Sequence, residues 1–401
     1  MIKYKISSIH KKRDNEGIIM RKIFYEDINI TEFDAKVVSC DFDTDRNVYK
    51  VLLDATAFFP EEGGQSADIG TLNDKEVLDV QIKDDLIYHY IKEPVDIGAT
   101  VTGKVNWEQR FDFMQQHSGE HILSGLIHNR YDYNNVGFHL SKNEVTMDFN
   151  GVLDWDQIRD IELAANRIIY KNLPIEISYP TKEELLDMEY RSKIDIDGQV
   201  RIVTIPSVDA CACCAPHVPT TGMIGIIKIT GLQNYKGGIR LNILCGTRAL
   251  LDYTAKQDSV TTLAQDMSTK QENIVDGYNR LKEECQNLKA NINELKERYL
   301  SMSIATLPSP SDSNNAILFT DITDNVAIRN TVNQLMENYS GYSIVFAGAD
   351  DNYRFVAGSK TLDCNELASK LREKFGAKCG GNNLMIQGSV SASKEQITNI
   401  F

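Results

Sequence analysis

Along this 401-residue chain the alternation of apolar and polar positions changes period several times. From Met20 to residue 106 the apolar positions come in short runs. "NVYKVLLDATAFF" has the β-branched and apolar content of a strand. "PEEGGQ" breaks it as a turn, and "GTLNDKEVLDVQIKDDLIYHYI" reads as short strands joined by polar turns. A β-barrel-like domain or curled sheet is expected over residues 20–106. At Trp107 the period becomes helical, through Phe113, Met114, Gln116, His117, His121, Leu123 and Leu126. "DWDQIRDIELAANRIIYKNL" predicts a second helix with Asp154 as its N-cap. "RIVTIP", "MIGIIKIT" and "GGIRLNILCG" predict strands, so residues 107–252 are expected to form an α+β domain with a largely antiparallel sheet.

The most regular pattern follows. Val260, Leu263, Met267, Ile274, Tyr278, Leu281, Cys285, Leu288, Ile292, Leu295, Tyr299 and Met302 recur at steps near three and four, with a polar break around Lys270. This heptad seam predicts a long helical coiled-coil segment over residues 253–306. Self-association through residues 255–302 is favoured over an arm packed on its own domain. "LPSPSDSNN" has the composition of a linker. "AILFTD", "YSIVFAGAD" and "YRFVAGS" alternate with helices at 325–339 and 364–375, which makes residues 307–401 a small C-terminal α/β domain. The fold class is α+β multidomain, and residues 1–19 form an N-terminal extension.

Composition narrows the compartment more than the chemistry. Charged and hydrophobic fractions of 25% and 42% are those of a globular protein. No apolar run has the length to span a membrane, and the basic N-terminus lacks a signal-peptide core. The reading is cytoplasmic, without membrane contact. In a reducing compartment eight cysteines point to metal ligation or buried thiols more than to disulfides. A net charge of −14 argues against a surface that coats nucleic acid generally, while leaving room for a local basic groove.

The chemistry gathers at two places. "FMQQHSGEHILSGL" carries His117 and His121 four residues apart, which on a helix puts two imidazoles on one face about 5–6 Å apart. "CACCAPHVPTTGMIG" carries Cys213 and His217 around a proline-containing turn. Three nitrogens and one sulfur suit zinc best among common intracellular metals. Cys211 and Cys214 compete with Cys213 as the thiolate. The bland alternatives are helix-surface histidines and a cluster of small buried thiols. His128 is treated as surface, and His139 as an orienting or core histidine in a strand.

"DATAFFPEEGGQSADIGTL", "MQQHSGEH", "CCAPHVPTTGMIG" and "GGIRLNILCGTRAL" occur in that order. Together they resemble the alanyl-tRNA editing proteins of the AlaX type, which are similar to the editing domain of alanyl-tRNA synthetase. The resemblance covers residues 20–250, and the heptad segment with "KCGGNNLMIQGS" resembles the long form. It implies a zinc site at His117, His121, Cys213 and His217. It also implies a substrate pocket at Thr56, Gly63, Gly64 and Gln65, with Arg240 facing tRNA phosphate. Thr56 would help tell serine from alanine. The chain departs from the family at Cys-Ala-Pro between Cys213 and His217, at Met223, at Phe59 and in a thinned glycine signature. "MRKIFYED" from Met20 looks like a family start. The implied reaction is zinc-dependent deacylation of tRNA(Ala) mischarged chiefly with serine, with glycine as a second substrate, in trans and without ATP. A zinc-associated water attacks, with no general base identified. The partner is tRNA(Ala), with homodimerisation through residues 255–302 or the C-terminal domain. A non-catalytic zinc-stabilised dimer that binds RNA or protein, and a deacylase for another tRNA, are the alternatives.

Overall fold

The computed structural model describes residues 20–192 and 198–401, so the expected extension over residues 1–19 lies outside the described residues. The chain divides into two compact units, Met1–Ser259 and Val260–Phe401.

The first unit opens with six strands: β1 (Glu32–Asp43), β2 (Val48–Leu53), β3 (Gly70–Leu72), β4 (Lys75–Lys83), β5 (Leu86–Ile91) and β6 (Thr100–Val105). They pair in the order β1-β2-β5-β4-β3-β6, and β6 returns to β1, which closes the ring. The two-residue period decides which side chains go inside. Phe33, Ala35 and Val37 of β1 are buried while the residues between them are exposed. After β2 the chain makes a two-residue strand, Ala55–Thr56, parallel to Arg21–Lys22. Ala57, Phe58 and Phe59 then join the core with Val51, Leu53, Val80, Ile87 and Ile91.

Helix α1 (Trp107–Tyr131) is capped by Asn106, whose side chain accepts from the Gln109 amide at 3.1 Å. Rather than presenting one apolar stripe, it is buried on all sides from Phe113 to Gly125. One side meets the antiparallel sheet formed, in order, by β12 (Ile227–Tyr235), β13 (Gly238–Cys245), β8 (Val145–Phe149) and β7 (Asn135–Leu140). Helix α2 (Trp155–Lys171) packs on α1 and starts with a full capping box from Asp154 and Gln157. A smaller sheet of β9 (Glu176–Ser178), β10 (Ile202–Ile205) and β11 (Asp209–Ala212) lies at α1 as well, with β11 in contact with it. The strand expected over "MIGIIKIT" begins only at Ile227. Thr221–Ile224 is a short 3-10 turn, ended by Gly225 at φ +84°, a backbone that a strand cannot continue through.

Helix α3 (Gly246–Asp266) leads out of the first unit. In the second unit the helical register breaks at Ser268, which has positive φ, close to the expected polar break. Helix α4 (Ile274–Ile304) then runs for 31 residues. Beyond it lies a five-stranded sheet of β14 (Ala316–Thr320), β15 (Ser343–Ala349), β16 (Asn352–Gly358), β17 (Lys378–Gly381) and β18 (Met385–Val390), in the order β14-β15-β16-β18-β17. Helix α5 (Asn325–Asn338) connects β14 to its parallel neighbour β15. Alternate residues of β15 enter opposite cores. Ile344 and Phe346 pack with Leu367 and Leu371 of α6 (Cys364–Phe375), and Val345 and Ala347 with Val332 and Leu335 of α5.

Candidate metal centre

The polar residues that make α1 an unusual helix are each met by a partner. Gln116 holds the backbone of Cys245 in both directions, donating at 2.9 Å and accepting at 2.7 Å. Glu120 accepts from the Ser124 hydroxyl at 2.7 Å and the Asn135 amide at 2.5 Å. Arg110 lies near the start of the helix in a buried ion pair with Asp68. Its guanidinium also donates to the Ala57 carbonyl at 2.6 Å. Asp68 accepts from the Phe59 amide at 2.6 Å, so one buried pair ties the loop after Thr56 to α1.

Two turns beyond Arg110, the helix presents His117, and one turn later His121. The turn after β11 presents Cys213 and His217. One donor atom of each of these four residues lies within 4.8 Å of the other three. Cys213 Sγ is 3.5 Å from His117 Nε2 and 3.3 Å from His217 Nε2. All three histidines are essentially buried. Each has its Nδ1 engaged by a different partner. His117 Nδ1 meets Gln65 Oε1 at 2.9 Å, His121 Nδ1 meets Asp209 Oδ2 at 2.9 Å and His217 Nδ1 meets Ser118 Oγ at 3.0 Å. Such partners fix ring orientation and leave Nε2 for the common centre. Asp209 is itself gripped by Arg191 at 2.7 and 2.9 Å. Cys211 instead lies with His121 and Asp209, and Cys214 lies against Gly63.

The electrostatics follow from this crowding. Burial pushes the Cys213 thiol up, but the charges of His117 and His217 and the hydrogen bonds from His117 and His121 hold it well below its ordinary value. Burial drives His217 down to about 3, against the pull of Cys213. Burial also opposes ionisation of Asp209, yet the hydrogen bonds of His121 and Arg191 hold it below the usual carboxylate range. A thiol biased toward thiolate and imidazoles with oriented Nε2 atoms make a donor set that fits zinc.

The loop from Thr56 to Gln65 reaches the centre through Gln65. Gly63 and Gly64 have φ of +63° and +82°, and a Cβ on Gly64 would come within 2.3 Å of the Phe138 carbonyl oxygen. That close approach lets Gly64 and Ser66 bracket Leu140 with backbone hydrogen bonds of 2.7 and 2.8 Å. Gln65 is then fully buried, and its amide nitrogen has no hydrogen-bond partner among the described residues. Among the described residues, Thr56 makes no hydrogen bond to the four-residue cluster. Its hydroxyl meets His89 Nε2 at 2.8 Å and accepts from the Phe58 amide at 3.1 Å. Arg240 lies on β13 in a two-pronged ion pair with Asp148, at 2.6 and 2.8 Å, and over the Tyr235 ring. His139 is in a strand, as expected, but exposed rather than in the core; His128 is half-buried rather than at the surface.

Residue spacing gave no hint of Asp209, Arg191, Ser118, His89 or Arg201. Arg201 donates to the carbonyls of Cys213 and Ala215 at 2.7 and 3.0 Å and so clamps the Cys-Ala-Pro turn. The available signal was polar residues in rows otherwise buried: Ile87–His89–Ile91, and Asp209 beside Cys211.

By sequence the chain is similar to the class of aminoacyl-tRNA synthetases and their editing relatives. A family model described as "Threonyl and Alanyl tRNA synthetase second additional domain" matches residues 200–242, and one described as "tRNA synthetases class II (A)" matches residues 7–109. Within that class the resemblance is to the alanyl-tRNA editing proteins of the AlaX type, long form. The alanyl-tRNA editing protein AlaX-L of Pyrococcus horikoshii is 28% identical over 95% of this chain and 97% of its own length. The alanyl-tRNA editing protein Aarsd1 of Rattus norvegicus is 29% identical over 70% of this chain and 72% of its own. The alanine–tRNA ligase of Ignicoccus hospitalis is 27% identical over 90% of this chain, which spans only 40% of that ligase.

Proposed function

We propose that this chain is a zinc-dependent hydrolase that removes serine, and glycine, from mischarged tRNA(Ala) in trans. The observation that carries this reading is the convergence of His117, His121, Cys213 and His217 on one buried point. Similarity to the alanyl-tRNA editing proteins AlaX-L and Aarsd1 supports the substrate class.

In this reading those four residues hold zinc. When bound, zinc supplies a Lewis acid for the ester carbonyl and lowers the pKa of water. Gln65 orients His117 through its oxygen, and its unpartnered amide nitrogen is available as a donor to the aminoacyl ester. Thr56 selects on the amino-acid side chain, and the positive-φ turn at Gly63 and Gly64 lets the loop approach closely. Arg240 is the candidate for a phosphate contact, which it makes in competition with Asp148. A second copy of the chain binds through residues 255–302, and the reaction takes place in the cytoplasm.

The test is deacylation of Ser-tRNA(Ala) beside Ala-tRNA(Ala), with zinc quantified in wild type and His121→Ala. The wild type is expected to clear the seryl ester and spare the alanyl ester. The variant is expected to lose zinc and at least about a hundredfold in activity. A folded, zinc-loaded wild type that cleaves neither ester overturns the reading in favour of a non-catalytic zinc module. Cleavage confined to a seryl ester on tRNA(Thr) moves the activity to the other synthetase named by the matching family model.

A further inference from the structure

His89 is out of place by composition. It occupies the inward row of β5 between Ile87 and Ile91, fully buried and with the Phe58 ring 5.5 Å away. An imidazole there is tolerable only if both nitrogens find partners. They do: Nδ1 lies 3.3 Å from the Val51 carbonyl oxygen and Nε2 lies 2.8 Å from Thr56 Oγ1.

These partners fix the protons. A carbonyl oxygen only accepts, so Nδ1 carries the hydrogen. Burial pushes His89 down to about 4, so the ring is neutral near pH 7 and Nε2 offers a lone pair. The Thr56 hydroxyl therefore donates to His89. Its oxygen already accepts from the Phe58 amide. A hydroxyl has one donor and two acceptor positions. With the donor and one acceptor spent, Thr56 retains a single acceptor lone pair, held by a β-branched side chain with restricted χ1.

We propose that His89 is a positioning residue for substrate selection: by taking the Thr56 proton it leaves Thr56 able only to accept, which matches a substrate side chain ending in O–H and not one ending in a methyl group. This rests on the functional reading above, in which Thr56 meets the amino-acid side chain. A seryl hydroxyl donates to the waiting lone pair. An alanyl methyl leaves that lone pair buried and unpaired, the arrangement by which a polar site rejects an analogue most strongly. Thr56 starts the loop that ends in Gln65 beside His117, so selection and chemistry are linked along ten residues of chain (56–65).

The experiment compares the seryl-to-alanyl ratio of kcat/KM on tRNA(Ala) for wild type, His89→Met, His89→Gln, Thr56→Val and the His89→Met/Thr56→Val double variant. Zinc content is measured for each. His89→Met is expected to lower the ratio about tenfold or more with zinc retained, as loss of one buried hydrogen bond implies. His89→Gln presents an amide oxygen near the Nε2 position and is expected to stay within a few-fold of wild type. Thr56→Val should lose at least as much as His89→Met, and the double variant no more than Thr56→Val alone, because both act through one hydroxyl. A zinc-loaded His89→Met with the wild-type ratio overturns the role of His89 while leaving the editing reading intact. Should the His89 variants fail to fold, 15N NMR of the wild-type imidazole decides. The expected spectrum has the hydrogen on Nδ1, and a hydrogen on Nε2 overturns the proposal. A wild type that cleaves neither ester overturns the functional reading, and the selection role with it.

Discussion

Asp209 shows how much of the centre depends on residues that bear no metal-binding signature. It accepts from His121 Nδ1 at 2.9 Å and from Arg191 at 2.7 and 2.9 Å, nearly fully buried. Removing its charge leaves the Arg191 guanidinium without its counter-ion and lets the His121 ring turn. Asp209→Asn is therefore expected to weaken zinc binding about 10–100-fold and to destabilise the fold by about 3 kcal/mol. Competition with a metal chelator and thermal unfolding would read these two effects, and a variant that holds zinc like the wild type would count against this orientation role. The His117–His121 pair was legible because one helix turn links i and i+4 by a local rule. Asp209 was not, because it lies 88 residues from His121 and only the packing of β11 on α1 brings them together.

At the scale of elements, the sequence located most helices and strands, but not their surroundings. Helix α1 was expected to carry an apolar stripe, and is instead enclosed by a sheet, a second helix and β11. Periodicity reports which faces are apolar; it cannot report that polar faces are buried against partners that satisfy them. Helix α4 is the opposite case. Tyr278, Leu281, Leu288, Ile292 and Leu295 lie on its seam and are all more than half exposed. With Leu281, Leu288 and Leu295 at d, Cys285 and Ile292 fall at a, and Lys282, Lys289 and Lys296 at e. Antiparallel pairing sets e against e and opposes these lysines. Parallel pairing sets g against e and brings Glu284 to Lys289. A parallel pair of chains in register is expected, with Cys285 facing its counterpart. Mild oxidation should give a disulfide-linked dimer that Cys285→Ser abolishes. A chain that sediments as a monomer at micromolar concentration speaks against the pairing.

The whole molecule holds separate cores in its two compact units: the barrel and α1 clusters before Ser259, and the two faces of the five-stranded sheet beyond Val260. Calorimetry is expected to resolve two unfolding transitions. Metal removal should lower the one belonging to the first unit and leave the other in place, because a ligand stabilises only the unit that binds it. A single transition that shifts as a whole would show the units to be thermodynamically coupled. The sequence by itself determined what depends on neighbours along the chain: strand alternation, helix caps, the heptad seam and the two His/Cys motifs. Tertiary structure alone decided which partners orient the three imidazoles, and that the Thr56 hydroxyl is committed to a histidine 33 residues away. The reason is physical. Periodicity and capping are set within a few residues, whereas a proton's position or a ligand's orientation is set by whichever distant groups the fold packs against it.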